Sequence, residues 1–213
     1  MVIVAVTKEE GLEIIKDLVR KYEEILATDK SIYNEEQMKT EFINKFFIAL
    51  GWDVHNDNGA APDYKEVIFE DSIKVAGGTK APDYCFRVGG RRIFFVEAKK
   101  PSINIKQDKS AAYQLRRYCW SAKLKLSILT DFEELALYGS QIKPKKTDNA
   151  GIDRLEMYVY SDYVDKWDEI YEIFSKDAVT KGKFDKYAKD NKRKRGTLEV
   201  DDSFLKELNK WRK

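Results

Sequence analysis

The sequence predicts an α/β (α+β) domain, with one mixed central sheet flanked by helices. Segments with apolar residues every three or four positions alternate along the chain with short apolar runs of strand character, and glycine pairs punctuate those runs. That order of helix, strands, helix, strands calls for helices packed against a single sheet.

The first helix is read from Lys8 to Leu26, where Leu12, Ile14, Ile15, Leu18, Val19, Tyr22 and Ile25 recur at three and four residue spacing between charges. A second runs from Tyr33 to Leu50 through Met38, Phe42, Ile43, Phe46 and Phe47, with Gly51 as its stop. Strands are expected at Tyr64–Phe69, Pro82–Val88 and Arg92–Ala98, the last two as a hairpin around Gly89-Gly90. Helical spacing returns from Asn104 to Ser121, and Leu124–Thr130 and Glu133–Tyr138 read as two more strands. After a polar linker at Lys143–Gly151 come an edge strand at Leu155–Tyr160 and an aromatic-rich helix at Tyr163–Phe174. Lys181–Gly196 is dense in lysine and arginine and poor in apolar residues, so it reads as a solvated stretch. Helical spacing resumes at Phe204–Trp211, as in the front end of something longer.

Composition excludes several chemistries. With 39 basic and 37 acidic residues the formal net charge is +2, which names no partner. The two cysteines, Cys85 and Cys119, sit in apolar or helical stretches and read as buried thiols without a disulfide framework or zinc spacing. The single histidine, His55, lies in a polar loop, so hydrolysis by a histidine triad or a multi-histidine metal site is ruled out. No long apolar run or signal peptide is visible, and a cytoplasmic protein without a membrane span is expected.

What remains is carboxylate, lysine and metal. The informative segments are Ala81-Pro82-Asp83-Tyr84 and Phe94-Phe95-Val96-Glu97-Ala98-Lys99-Lys100-Pro101. Residues two apart on a strand share a face, so Glu97 and Lys99 project together, with Val96 and Ala98 opposite. Two carboxylates suit Mg²⁺, which prefers oxygen ligands and keeps water in its shell. For Asp83 to join Glu97 on one face, the hairpin must have an odd loop or a compensating β-bulge, because a regular two-residue turn would pair Asp83 with Val96.

These residues resemble the PD-(D/E)xK nuclease superfamily. Gln114-Leu115-Arg116-Arg117-Tyr118 looks like the Q-x-x-x-Y motif of type I restriction motor subunits, and Asn34-Glu35-Glu36-Gln37 through Leu50-Gly51-Trp52 resembles the first helix of fused type II (IIG) restriction-modification enzymes. The resemblance implies a restriction-endonuclease-like fold over residues 1–180, with its core at 33–140, and a basic linker and helical connector over 181–213. It implies a Mg²⁺-dependent DNA endonuclease in which Mn²⁺ substitutes. Asp83, Glu97, Lys99, Gln114 and Tyr118 would form the catalytic set, and Asp83, Glu97 and a helix glutamate would hold the metal. Glu35, Glu36 and Glu41 are all available for that place, Glu35 being favoured by its position on the sheet-facing side. Lys100, Lys106, Lys109, Arg116 and Arg117, with Lys192–Arg195 further on, are candidates for phosphate contacts. The partners implied are double-stranded DNA and fused or associated methyltransferase and target-recognition modules. A structure-selective nuclease and an inactive DNA-binding module of the same fold are the alternatives.

Overall fold

The computed structural model describes residues 6–28, 33–75 and 78–191. Helix α1, Lys8–Leu26, starts at a reciprocal cap in which Thr7 Oγ1 accepts the Glu10 amide and the Glu10 carboxylate accepts the Thr7 amide. A second helical stretch combines α2, Glu35–Met38, a π-helical turn at Lys39–Ile43 and α3, Asn44–Ala49. Asn34 caps it by the same reciprocal arrangement with Gln37. The wide π turn rotates the stripe, so that Phe42, Ile43, Phe46 and Phe47 all reach the core.

Eight strands follow: β1 Val67–Phe69, β2 Ile73–Val75, β3 Gly78–Lys80, β4 Tyr84–Val88, β5 Arg91–Ala98, β6 Leu126–Thr130, β7 Glu134–Gly139 and β8 Arg154–Val159. Six of them form one sheet in the order β1-β4-β5-β6-β7-β8, while β2 and β3 pair separately. The β5–β6 pair is parallel and its neighbours are antiparallel, so the sheet is mixed as expected. The crossover between β5 and β6 carries α4, Lys109–Ser121. Helices α5, Trp167–Phe174, and α6, Lys176–Thr180, close the other side.

Alternation along the strands sends side chains into two cores. Phe86, Phe94, Val96, Ile128 and Leu137 pack with α1, α3 and α5, whereas Cys85, Phe95, Leu129 and Tyr138 pack with α4 and the β2–β3 hairpin. Both thiols are buried, and burial pushes Cys119 up to about 12. Among the described residues no helix is long and apolar enough to cross a membrane.

Several expected boundaries move. Pro62–Tyr64 is a 3-10 turn, and the strand there begins only at Val67. Helix α4 begins at Lys109 because Asp108 Oδ1 accepts the Ser110 and Ala111 amides, ending a turn that Asn104 opens. The solvated reading of 181–196 fails over its first part: residues 183–191 are helical, and Phe184 packs its ring 5.5 Å from Phe94. Two well-spaced apolar residues, Phe184 and Ala188, suffice to dock that segment. Lys192–Arg195 and Phe204–Trp211 lie outside the described residues.

Two positions test this packing. A Cβ on Gly11 would come within 2.3 Å of the Ala49 carbonyl oxygen and 2.8 Å of the Trp167 ring. Helix propensity favours Gly→Ala, but the clash outweighs it, so Gly11→Ala should lose about 1 kcal/mol or more in a denaturant titration. Asp131 is buried, and desolvation raises its pKa to about 8 although its Oδ1 accepts the Glu134 amide at 2.8 Å. A carboxylate raised in the folded state costs stability as pH climbs from its ordinary range to the folded value. Asp131→Asn keeps the acceptor oxygen, so its melting temperature should rise against that of the parent between pH 4 and about 8, with the gap levelling off beyond.

Candidate active site

The site is set by the β4–β5 hairpin. Gly89 and Gly90, both at positive φ (56° and 77°), make a two-residue turn that pairs Val88 with Arg91 and Arg87 with Arg92. Continued unbroken, this would put Asp83 against Val96. A bulge between Phe86 and Arg87 shifts the pairing to Phe86 with Phe94 and Tyr84 with Val96, leaving Ile93 as the extra residue. The next pair in this register is Asp83 with Glu97. The compensating bulge that the chemistry requires is therefore present.

Asp83 stands just before β4, and both its oxygens are engaged. Oδ2 accepts the Ala98 amide at 2.8 Å and Oδ1 accepts the Lys39 ammonium at 2.6 Å. Glu97 is only 4% exposed. Its Oε1 accepts Lys99 Nζ at 2.8 Å and the Gln114 side-chain amide, while its Oε2 is buried without a hydrogen-bond partner. Burial, and then the Asp83 charge, raise the Glu97 pKa to about 7 against the pull of Lys99. A buried carboxylate oxygen left unmatched is costly, and a cation answers that cost directly.

Helix α4 covers this face. Gln114 and Tyr118 lie one turn apart, with Gln114 in hydrogen-bonding reach of the phenol, and burial raises the Tyr118 pKa against the pull of Gln114. Glu97 is buried beneath this cover and Lys99, at 18% side-chain exposure, is partly buried.

Of the three glutamates considered, Glu41 is drawn away, pairing with Lys21 at 2.6 Å and accepting the Tyr33 hydroxyl. Glu36 is largely exposed. Glu35 lies nearest, but Lys39 stands between it and Asp83, at 3.6 Å from Glu35 and 2.6 Å from Asp83. Among the described residues no three Asp, Glu, His or Cys side chains converge on one metal-sized site. The donors present are thus two carboxylates, which fits Mg²⁺ with a shell completed by water and phosphate oxygen and does not fit an all-protein cage. Lys39 escaped the sequence reading, although its spacing of four from Glu35 places it on the same helix face.

Lys100, Lys106 and Lys109 are exposed, the first directly beyond the site, the second in the turn before α4 and the third at its start. Arg117 is half-buried on that helix. Arg116 is not a surface residue: it is 2% exposed, pairs with Asp148 at 2.8 Å and donates to the Ile142 carbonyl. Its place four residues after Ala112 turns it inward, so the expected phosphate contact is corrected to a latch on the 142–150 loop. Arg116→Met should destabilise the fold in a denaturant titration, because it strands Asp148 and the Ile142 carbonyl, and should leave the salt dependence of any DNA binding unchanged. A flatter slope in a folded variant would return it to the surface role.

With this geometry in view, comparison with known proteins adds one finding. The chain is similar to a type II restriction enzyme and methyltransferase. That protein, RM.Eco57I of Escherichia coli, is 39% identical over 201 residues, covering 93% of this chain and 20% of its own length. The chain spans about a fifth of the curated relative it matches. No family model and no solved structure matches.

Proposed function

We propose that this chain is the DNA-cleaving module of a cytoplasmic restriction-modification enzyme, a metal-dependent endonuclease of the PD-(D/E)xK type acting on double-stranded DNA. The observation that carries the reading is the unpartnered Oε2 of Glu97, buried across the hairpin from Asp83 with Lys99 alongside. Similarity to a protein named as both restriction enzyme and methyltransferase supports it, and in this reading methylation and target-recognition modules belong to a fused or associated part.

In this reading Asp83 and Glu97 hold Mg²⁺ or Mn²⁺, which when bound polarises the scissile phosphate and lowers the pKa of the attacking water. Lys99, held by Glu97 Oε1, orients that water and balances charge building on the phosphate. Gln114, donating to Glu97 Oε1, would hold that carboxylate with Oε2 free for the ion, with Tyr118 one turn further along α4 as a supporting group. Glu35 serves as an outer carboxylate. Lys100, Lys106, Lys109 and Arg117 would meet backbone phosphates, contacts that position DNA without reading its sequence.

The test is cleavage of plasmid DNA in Mg²⁺ or Mn²⁺ by the parent protein and by Asp83→Ala, Glu97→Ala and Lys99→Ala. Each substitution should lower the rate about 100-fold or more, the scale for removing one group that stabilises transition-state charge. Cleavage that survives in Glu97→Ala, or that persists in EDTA, would sink the assignment. Activity confined to branched DNA would move the reading to a structure-selective nuclease.

A further inference from the structure

We propose that Lys39 is a displaceable internal counter-ion: its ammonium occupies Asp83 when no divalent cation is bound, and withdraws to Glu35 and Glu36 when one arrives. The inference rests on the reading of Asp83 and Glu97 as the cation site.

Three observations carry it. First, the two lysines of the site are placed differently. Lys99 takes Glu97 Oε1 and leaves Oε2 open, whereas Lys39 takes Asp83 Oδ1 while the Ala98 amide holds Oδ2. A cation seated at Glu97 Oε2 and reaching Asp83 would share an oxygen that already accepts Lys39 or the strand amide, and its charge would repel the ammonium, the only one of the two donors on a flexible side chain. Second, an alternative seat is already built. Glu35 and Glu36 lie 3.6 and 3.9 Å from Lys39 Nζ, so a small rotation trades one carboxylate for two without leaving the ammonium unpaired. Third, Lys39 opens the π-helical turn, and its own amide is shared between the Glu35 and Glu36 carbonyls. Such turns are rare and recur at functional sites.

The arrangement gives the metal-free protein a way to tolerate Asp83 and Glu97 facing each other. Without Lys39, Asp83 would keep only the Ala98 amide against the repulsion of Glu97. It also gives Glu35 a role that needs no direct ligation: it receives the ammonium that the cation expels.

Isothermal titration with Mn²⁺ alone, without DNA, separates these roles. Lys39→Met and Lys39→Gln should each bind Mn²⁺ about tenfold more tightly than the parent, since an opposite charge at this range shifts a carboxylate's cation affinity by at least a factor of ten. Glu35→Gln should weaken Mn²⁺ binding severalfold in the parent and have no effect in the Lys39→Met background, because the seat matters only when there is an ammonium to receive. Glu97→Gln should abolish binding in every background. Equal or weaker binding by both folded Lys39 variants overturns the counter-ion while leaving the cation site standing. An equal loss from Glu35→Gln in both backgrounds makes Glu35 a ligand and also overturns it. Binding that ignores Glu97→Gln, or none at all in the parent, removes the cation site and this inference with it. Thermal melts of the Lys39 variants confirm folding, and Gln, which retains a neutral donor to Asp83, covers the case in which Met does not fold.

Discussion

The burial of the Glu97 carboxylate is the constraint to which much of the molecule answers. A carboxyl group at 4% exposure needs hydrogen-bond partners, and two surrounding elements supply them to one of its oxygens. Strand β5 supplies Lys99 and α4 supplies Gln114, while Asp83 across the hairpin adds a second negative charge that, with burial, raises the Glu97 pKa. One oxygen is left over. The fold around it is rigid where it matters: the parallel β5–β6 ladder continues past Ala98, and the Lys99 amide donates to the Thr130 carbonyl at 2.9 Å, so the strand end bearing the site does not fray.

Helix α4 does two jobs from one turn. Gln114 reaches the carboxylate, and Arg116, turned inward, reaches Asp148 and the Ile142 carbonyl. The helix is thereby fixed between the sheet and a surface loop. The opposite layer is held chiefly by rings: Phe47 and Phe86 lie 4.5 Å apart by centroid and Phe86 stacks on Phe94 at the same distance. Such contacts bind α3 and the hairpin into one body. Lys39 projects toward Asp83 from the helical stretch that this body anchors.

Much of this was legible in the sequence, and the failures have physical causes. The hairpin strands, β6 and β7 were found within two residues, because alternation and glycine pairs speak locally. The bulge was required by chemistry before its place was known: no residue near Ile93 announces it. Helix α4 starts later than its apolar spacing suggests because a side-chain cap, Asp108, decides where the amides are satisfied. Residues 183–191 were misjudged because charge density hid Phe184 and Ala188, and docking depends on spacing more than on composition. Arg116 was placed on the surface by residue type, whereas helix phase puts it inside. Lys39 was missed because carboxylates alone were counted on the first-motif helix.

The extra residue in β5 has a consequence for how such a chain can change. Because side chains alternate between faces, what the hairpin conserves is parity: the sum of turn residues and bulge residues between Asp83 and Glu97 must be odd, whatever its total. Two glycines and one bulged isoleucine meet that condition here. Lengthening the turn by two residues leaves both carboxylates on one face, while adding a single residue sends one of them through the sheet unless the bulge disappears at the same step. Relatives with different spacings between these carboxylates are therefore reachable in even strides, and each odd stride must be matched by a second change several residues away.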